Sequence, residues 1–485
     1  MKYFLMLIQL WVGFLPICAS YPKANIWIIP SVESPQVYRN YAQTSKVHLE
    51  MARGEVEHIQ LVFPSKVNEE YRFTFDRNLK GIQISARELK KMNGYYDALV
   101  PFKNQLKCTD TLTAVWITVQ CPSRVPVGKY HQTIKIEGSK HFTIQLDYNV
   151  HHTTIPLKSS IPITVGVENR CVAEGLNDKE ADKERQRWVD FVLSYRMTPV
   201  FGTQITPERW QYEHSFSPWA WNDKRSIRLL NDRRYSCYML PFFTLSENEL
   251  ASLLCNIQKK GKLKESLFYI WDEPAYMEDY EQIKQKVNII RKYASDARIL
   301  TTFFCGPRNG PRKGDLYAVF DYLKHHIHVA TISLAPCKGN EEEVQHIRYK
   351  VPEGIDWWSY VCWQPGGNEP NFLLQMKGIQ QRAIMWRTWK NGSQGFLYWN
   401  CNIYHKRNPF TYITDMPHGD GILIYPGDIL GRKGPIASAR LERWRDGAEE
   451  MELLRLVEKN YSKEKADTLL NIVYSSPLSL SLIHI

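Results

Sequence analysis

Eight short apolar segments alternate with segments of helical pattern along most of the chain, and this alternation limits the fold more than any other feature. The apolar segments span residues 163–168, 198–202, 235–243, 266–271, 298–304, 326–334, 356–363 and 395–400. Nearly continuous apolar runs are typical of parallel strands that are covered on both faces. Eight such strand–helix units predict an α/β fold, a (β/α)8 TIM-like barrel. A doubly wound open sheet is the alternative, but no GxGxxG motif opens a helix after an early strand to support dinucleotide binding.

The part of the chain before these units has a different pattern. Strand-like runs at residues 58–63, 114–120, 131–138 and 141–150 are separated by Pro and Gly turns and show no helical period. Short strands at such spacing predict a β-sandwich. We therefore predict an N-terminal β-sandwich domain over residues 21–158, followed by a barrel domain with a C-terminal helix over residues 159–474.

The two ends of the chain are interpreted as targeting and tail segments. Residues 1–20 resemble a signal peptide, with Lys2 before an apolar stretch and small residues at the predicted cleavage site. This predicts an exported protein, periplasmic or extracellular. Lipoprotein anchoring at Cys18 is a weaker alternative, because Ile17 is bulky where a small residue is preferred. No later stretch is apolar for about 20 residues, so no membrane span is predicted. Residues 475–485 are uncharged and of low complexity, which suggests a non-native tail.

Composition limits the cofactors and partners. The chain has 10 Cys, but no CxxC or Cys/His pair has metal-ligand spacing, so neither a metal site nor a cofactor is predicted. The Cys in the barrel segments are interpreted as buried free thiols. The formal net charge is +11, yet Lys and Arg form no long basic run. This argues against nucleic acid as a partner and gives weak support to an anionic substrate.

The strongest local signal is the segment YIWDEPAY at residues 269–276. Pro274 cannot donate to a sheet, so Asp272 and Glu273 are placed at the end of the fourth barrel strand. In such barrels the carboxyl ends of the strands form the active-site face. Two adjacent carboxylates raise the pKa of at least one of them, which suits a general acid. The alternative is that both residues cap the following helix or pair with Arg.

Aromatic side chains near the ends of the last two strands are candidates for sugar binding, because sugar C–H faces stack on aromatic rings. The predicted substrate-binding residues are Tyr360, Trp363, Tyr398 and Trp399 on these two strands, together with Asn400 at the end of the last one and Trp271 beside the carboxylate pair. In an ordinary retaining glycosidase the two carboxylates lie on opposite sides of the glycosidic bond, which adjacent residues achieve poorly. Adjacent carboxylates fit a substrate-assisted mechanism better, in which the 2-acetamido group of the sugar is the nucleophile. A non-catalytic carbohydrate-binding protein on a barrel fold, or a surface scaffold, remains the alternative.

Several separated motifs resemble glycoside hydrolase family 123 and the wider group of DUF4091 domain proteins. They are LEMARGEVEHIQLVF (49–63), VPVGKYHQTIKI (125–136), YIWDEPAY (269–276), GFLYWN (395–400), GDGILIYPG (419–427) and SARLERWRDGAEEMELL (438–454). The resemblance implies a retaining exo-β-N-acetylgalactosaminidase with a β-sandwich before a (β/α)8 barrel, acting on a glycan. It also implies that Asp272 stabilises an oxazolinium intermediate and that Glu273 is the acid/base.

Overall fold

A computed structural model describes residues 25–76, 81–206, 211–404, 408–409, 418–477 and 479–480. The signal-like segment 1–20 lies outside these residues. Ten strands come first: β1 (Trp27–Pro30), β2 (Lys46–Arg53), β3 (Val56–Pro64), β4 (Glu70–Phe75), β5 (Gln83–Met92), β6 (Tyr95–Pro101), β7 (Gln105–Lys107), β8 (Leu112–Gln120), β9 (Gly128–Glu137) and β10 (His141–Thr154). They form two five-stranded sheets, in the orders β1-β3-β8-β5-β6 and β2-β10-β9-β4-β7.

The two sheets face each other across a shared apolar core. Along β10, buried and more exposed residues alternate from His141 to Val150, as expected for a strand with one face against a core. Side chains from both sheets meet there, and the rings of Phe63 and Tyr71 lie 5.0 Å apart between centroids. The sheet-rich character predicted for the N-terminal region is confirmed, whereas the domain limits at residues 21, 158 and 474 stay predictions.

The following region forms a nine-stranded, mixed sheet. Its strands are β11 (Ile163–Glu168), β12 (Thr198–Thr206), β13 (Gln211–Ser215), β14 (Tyr238–Met239), β15 (Ser266–Trp271), β16 (Arg298–Phe303), β17 (Val329–Ser333), β18 (Asp356–Val361) and β19 (Phe396–Tyr398). Its helices are α1 (Asn169–Ala173), α2 (Asp178–Ser194), α3 (Lys224–Leu229), α4 (Glu247–Lys259), α5 (Met277–Arg291), α6 (Ala318–Leu323), α7 (Glu341–Tyr349), α8 (Gly378–Arg382), α9 (Ile384–Lys390), α10 (Ala439–Asn460) and α11 (Lys463–Val473).

This sheet is nearly closed into a barrel. Its order is β13-β12-β11-β19-β18-β17-β16-β15-β14, so the first and last parallel strands, β11 and β19, pair with each other. The ladder is interrupted between β12 and β14, where Thr198 Oγ1 and Ser236 Oγ lie 2.8 Å apart. There β13 pairs with β12 antiparallel, and Phe216 N donates to Met239 O at 2.7 Å.

The prediction of a (β/α)8 TIM-like barrel is thus confirmed only as a mixed α/β fold with a nearly closed, barrel-like sheet. The connection from β12 to β14 contains the antiparallel strand β13 and the six-residue helix α3 instead of one long helix. The polar strand β13 fills the interruption because its backbone groups need partners and the edge of β12 offers them.

Helix α10 joins the N-terminal sheets to the barrel through buried charges. Arg440 is fully buried and donates from Nε and Nη2 to Asp97 Oδ2 of β6, at 3.0 and 2.9 Å. Glu449 accepts from Val56 N at 2.9 Å and from Arg196 Nε at 3.0 Å. Buried charges are tolerated only when they are paired and hydrogen-bonded, so these contacts specify how α10 is placed between the two regions.

The end of the chain continues from α11 into two short paired strands, Tyr474–Ser476 and Ser479–Leu480. The proposed tail therefore lies partly within the described residues, and its remainder lies outside them. Within the described part of the chain, no helix is both long and apolar enough to cross a membrane. None of the nine cysteines described forms a disulfide, and seven of them are buried.

Replacing Asp97 by Asn should lower the free energy of unfolding by about 3–5 kcal/mol, because the buried charge of Arg440 then has no counter-ion. Denaturant unfolding of the purified protein measures this loss. Asp147→Asn is the matched control, since Asp147 pairs with His131 at an exposed site, 42% and 78% accessible, where a loss of less than about 1 kcal/mol is expected. Equal effects of the two substitutions would contradict a structural role for the Asp97–Arg440 pair.

Candidate active site

Asp272 and Glu273 follow strand β15 directly, at the carboxyl end of the barrel-like sheet. Leu267 and Tyr269 point into the barrel interior, while Phe268 and Ile270 pack beneath the helices. Both carboxylates are solvent-exposed, so water and small molecules reach them. The pair lies where barrel enzymes place their reacting groups.

Asp272 is held by two hydroxyl groups that reach it from the barrel wall. Tyr269 OH and Thr302 Oγ1 each donate to Asp272 Oδ1 at 2.7 Å, and these two hydroxyl oxygens are 3.0 Å apart. Asp272 Oδ2 has no hydrogen-bond partner among the described residues. The carboxylate therefore has one oxygen fixed by the protein and one oxygen available to a ligand.

Glu273 is fixed by its backbone and by one phenol. Its φ is +45°, in the left-handed region, which costs about 1–3 kcal/mol for a residue with a side chain. Its N–H donates to Thr302 Oγ1 at 3.0 Å, and Tyr360 OH donates to its Oε1. Strain of this kind persists only where surrounding contacts hold it, and it concentrates at functional sites.

The pKa of Glu273 is raised from 4.5 to about 7. The main cause is desolvation of the carboxyl group by the protein atoms around it, although the residue keeps exposed surface, and the nearby charge of Asp272 adds to it. The hydrogen bond from Tyr360 and the charge of Arg308 oppose this rise in the pKa. A carboxyl group with this pKa keeps much of its proton at neutral pH, as a general acid requires.

The alternative role of the pair as a helix cap does not hold. Asp279 Oδ2 accepts from Ala275 N and Tyr276 N, at 2.8 and 2.9 Å, at the start of α5. The next backbone N–H, that of Met277, donates to Asn309 Oδ1 at 2.8 Å. Asp272 and Glu273 are therefore not used to cap the helix that follows them.

The inserted strand β13 brings an imidazole to the site. His214 stacks on Tyr269 with ring centroids 4.2 Å apart and an angle of 8° between the planes. Burial lowers the pKa of His214 to about 3, so its ring is neutral at physiological pH. The neighbouring Glu213 accepts from Phe242 N and Thr244 N, at 2.8 and 2.7 Å, and ties β13 to the loop after β14. Strand β13, which occupies the interruption in the barrel, thus supports the ring of Tyr269, whose hydroxyl group donates to Asp272.

A third carboxylate, that of Asp420, orients an aromatic ring at the same end of the barrel. Trp399 Nε1 donates to Asp420 Oδ1 at 2.9 Å, and Tyr398 OH approaches the same oxygen at 3.2 Å. Burial raises the pKa of Asp420 to about 6, although these hydrogen bonds oppose the change. Asp420 therefore fixes the half-buried indole of Trp399 at the carboxyl end of β19.

Comparison with known proteins identifies the family. The family model described as "Glycoside hydrolase 123, catalytic domain" matches residues 183–457, more than half of the chain. The chain belongs to glycoside hydrolase family 123. This family membership makes the protein a glycoside hydrolase, and it places Asp272 and Glu273 inside the matched catalytic region.

Solved structures support the same fold. A family 123 glycoside hydrolase from Clostridium perfringens, studied for glycolipid glycan hydrolysis, superposes with a TM-score of 0.66 at 15% identity, covering 93% of this chain and 91% of that chain. A β-galacturonidase from Eisenbergiella tayi reaches a TM-score of 0.35 at 9% identity, covering 82% and 89%. A xyloglucanase from Bacteroides ovatus reaches 0.28 at 10% identity, covering 83% and 98%. The last two scores are too low to support a shared arrangement. A search of curated proteins found no significant match.

The predicted sugar-binding residues of this family 123 hydrolase occupy different environments. Tyr360 lies in the barrel interior and contacts Glu273, while Trp363 is 41% exposed at the carboxyl end of β18. Tyr398 has no exposed surface, so any effect on a sugar would pass through Asp420. Trp271 packs on the helix side of the sheet, 5.9 Å from Lys286 Nζ to its ring centre.

Asn400 lies almost fully buried in the loop after β19. It is 5% exposed, and its Oδ1 accepts from Asn402 N at 2.9 Å. Its amide oxygen is therefore used to hold the loop after β19. The positions of Tyr398, Trp271 and Asn400 do not support direct contact with a sugar.

Five residues of the cleft were missed from the sequence. They are Tyr269, Thr302, His214, Asp420 and Arg308. Alternation along β15 and β16 would have indicated Tyr269 and Thr302, because both precede strand ends on the inward face. Asp420 stands within the motif GDGILIYPG, but no pattern connects it to Trp399.

Glu273→Gln should stabilise the protein in a pH-dependent way. The folded protein retains this proton up to about pH 7, whereas an unfolded chain releases it near pH 4.5, so the ionised group increasingly destabilises the folded state between these values. The melting temperature of Glu273→Gln should match the wild type near pH 4.5 and exceed it above pH 7. Glu353→Gln, at an exposed position outside the cleft, measures the general effect of removing one charge. A gain that is the same at all pH values would contradict the raised pKa of Glu273.

Proposed function

We propose that this glycoside hydrolase removes terminal β-linked N-acetylhexosamine units, with GalNAc preferred, from glycan chain ends with retention of configuration. The 2-acetamido group of the substrate acts as the nucleophile. The observation that carries the proposal is the unequal environment of the two neighbouring carboxylates. Asp272 has one oxygen fixed and one open, while Glu273 has a pKa of about 7.

A nucleophilic carboxylate fits this site poorly. Ordinary retaining glycosidases place two carboxyl groups on opposite sides of the bond, about 5–5.5 Å apart. Asp272 and Glu273 are consecutive residues that leave one strand end, so they approach a sugar from the same side. Two further carboxylates at this end of the barrel, Glu168 and Asp420, are only 2% and 3% exposed. Their burial keeps them away from an anomeric carbon, which favours a nucleophile supplied by the substrate.

The first step uses both carboxylates together. The acetamido oxygen attacks the anomeric carbon, the glycosidic bond breaks, and Glu273 gives its proton to the departing oxygen. Asp272 Oδ2 accepts the acetamido N–H and stabilises the positive charge that spreads over the new ring. Tyr269 and Thr302 keep Asp272 in position, so little reorganisation is needed as this charge develops.

The second step reverses the proton transfer. Water replaces the departed aglycone, and the ionised Glu273 takes a proton from it as it attacks the anomeric carbon. The acetamido group is regenerated, and two inversions give net retention. Tyr360 OH donates to Glu273 and lowers its pKa, which helps the carboxylate form that this step needs.

A non-catalytic carbohydrate-binding protein is the competing function. A binding site needs aromatic rings such as Trp399 and Trp363, and it has no need for a carboxyl group that stays protonated near neutral pH. The strained backbone of Glu273 would also bring a binding protein no benefit.

We further propose export to the periplasm or the exterior, as the signal-like residues 1–20 indicate, with a supporting role for the N-terminal sheets.

A panel of nitrophenyl glycosides tests the proposal directly. We expect cleavage of the β-N-acetylgalactosaminide and of the β-N-acetylglucosaminide, because only these substrates carry the assisting acetamido group. The preference for GalNAc makes the second reaction the slower one. The corresponding β-galactoside and β-glucoside should remain uncleaved. Faster hydrolysis of a sugar without an acetamido group would rule out substrate assistance.

Asp272→Asn should lower turnover of the β-N-acetylgalactosaminide by about 10²–10³-fold, because the amide supplies no negative charge to the developing oxazolinium. Its melting temperature should stay close to that of the wild type, since Tyr269 and Thr302 retain an acceptor. Asp279→Ala is the matched control. It removes a true helix cap, so stability should fall by about 1 kcal/mol with turnover nearly unchanged. Turnover of Asp272→Asn above a tenth of the wild-type value would remove Asp272 from the mechanism.

A further inference from the structure

An aromatic shelf lies at the carboxyl end of the barrel, formed by side chains that follow β16 and β18. Trp363, which is 41% exposed, stacks on Phe304 with ring centroids 6.3 Å apart and an angle of 17°. Strand β17 separates these two strands, so the two rings meet over its end. Sugar rings stack on aromatic faces of this kind, so the pair of rings offers a surface on which a glycosyl unit could lie.

The loop that carries Phe304 is docked against the residues that follow Glu273. Arg308 N donates to Ala275 O at 2.6 Å, and Asn309 Oδ1 accepts from Met277 N at 2.8 Å. A Cβ added at Gly310 would lie 2.9 Å from Met277 Cγ, so the two segments are in close contact. The shelf and the acid are thus connected through one short loop.

Arg308 is the cation of this loop that follows the docking contact with Ala275 most closely. Its side chain is exposed, and the nearby side chains of Tyr276, which is itself 47% exposed, and Cys305 raise its pKa. It forms no ion pair with a carboxylate among the described residues, whereas Arg312 in the same loop pairs with Asp315 and Asp321. Arg308 therefore has an unneutralised charge next to the general acid.

The position of this charge has a functional consequence. A positive charge beside Glu273 lowers the pKa of the group that must donate a proton, so on its own it works against the first chemical step. An anion bound to Arg308 would remove this effect. The leaving group is the part of the substrate that Glu273 protonates, so it must lie beside Glu273 and within reach of the loop.

We propose that Trp363, Phe304 and Arg308 form a leaving-group subsite for a glycosyl unit that carries an acidic group, a carboxylate or a sulfate ester. The sugar ring stacks on Trp363, and the acidic group pairs with Arg308. Binding of such a unit neutralises Arg308, so Glu273 keeps its proton to higher pH in the enzyme–substrate complex. This inference rests on the proposed function, because it assumes that Glu273 is the acid. The net charge of +11 also favours acidic glycans.

Three disaccharides with the same terminal β-N-acetylgalactosamine test the subsite. Their second unit is a neutral hexose, a hexuronic acid or a sulfated hexose, and the nitrophenyl glycoside serves as a reference. In the wild type, at least one acidic disaccharide should exceed the neutral one in kcat/KM by about tenfold, the effect of one charge-assisted hydrogen bond. The faster of the two acidic substrates identifies carboxylate or sulfate as the group recognised.

Variants separate charge from stacking. Arg308→Met should bring the acidic and neutral disaccharides to within about threefold of each other, and Arg308→Lys should retain most of the preference. Trp363→Ala should slow all three disaccharides by a similar factor and leave their ratio unchanged. Arg312→Met, in the same loop, is the matched control and should keep the wild-type preference.

The pH dependence of kcat gives a second readout that a merely structural role of Arg308 would not change. In the wild type, kcat should begin to fall with rising pH at a higher pH for the acidic disaccharide than for the neutral one. In Arg308→Met, kcat should begin to fall at the same pH for both disaccharides. No acidic preference in the wild type, or a preference that survives Arg308→Met, would overturn the subsite. Failure to cleave any N-acetylhexosaminide, including the nitrophenyl glycoside, would instead overturn the proposed function.

Discussion

The buried ion pair between Arg440 and Asp97 is the contact on which the arrangement of the two regions and the active-site rim depends. Arg440 belongs to α10, and Asp97 belongs to the N-terminal sheet strand β6. The same guanidinium donates to Gly419 O at 2.8 Å and contacts Ile422 O, so it also holds the loop that contains Asp420. Because Asp420 fixes the indole of Trp399, a charge buried far from solvent determines where a candidate sugar-binding ring lies. Leaving a charge of this kind without its partner is among the more damaging changes a core can undergo.

The candidate active site depends on a departure from a regular barrel. Between β12 and β14 the ladder is interrupted, and β13 occupies the edge with His214 stacked on Tyr269. Tyr269 and Thr302 together hold Asp272, while Thr302 also accepts from the backbone of Glu273. One hydroxyl group thus binds both the carboxylate of Asp272 and the backbone N–H of Glu273, and the two carboxylates nevertheless differ in environment. Different environments for two neighbouring carboxyl groups are a general way to obtain different roles from the same chemistry.

Much of the fold was predictable because strand cores are apolar and periodic. The segment 266–271 coincides with β15, and 298–304 and 356–363 each contain a strand. The segment 235–243 contains only the two residues of β14, because its apolar side chains pack without a ladder on one side. Strand β13 was missed because its sequence QYEHS is polar and is held by pairing with β12. The position of the candidate catalytic pair was identifiable from Pro274 and the strand end, whereas Asp420, His214 and Arg308 reach the candidate site only through tertiary contacts. Whether Tyr398 and Trp271 face the barrel interior or the surrounding helices decides their exposure. A continuous apolar segment in the sequence does not determine which of the two faces a residue takes.

The central claim is that the substrate's acetamido group attacks the anomeric carbon while Asp272 and Glu273 assist. It is tested most directly with nitrophenyl β-galactosaminides whose N-acyl group is acetyl, monofluoroacetyl, difluoroacetyl or trifluoroacetyl. Fluorine withdraws electrons from the carbonyl oxygen and weakens it as a nucleophile. The account predicts that log kcat falls steadily with each added fluorine. A rate that is independent of fluorination would contradict substrate assistance and would require a nucleophile from the protein.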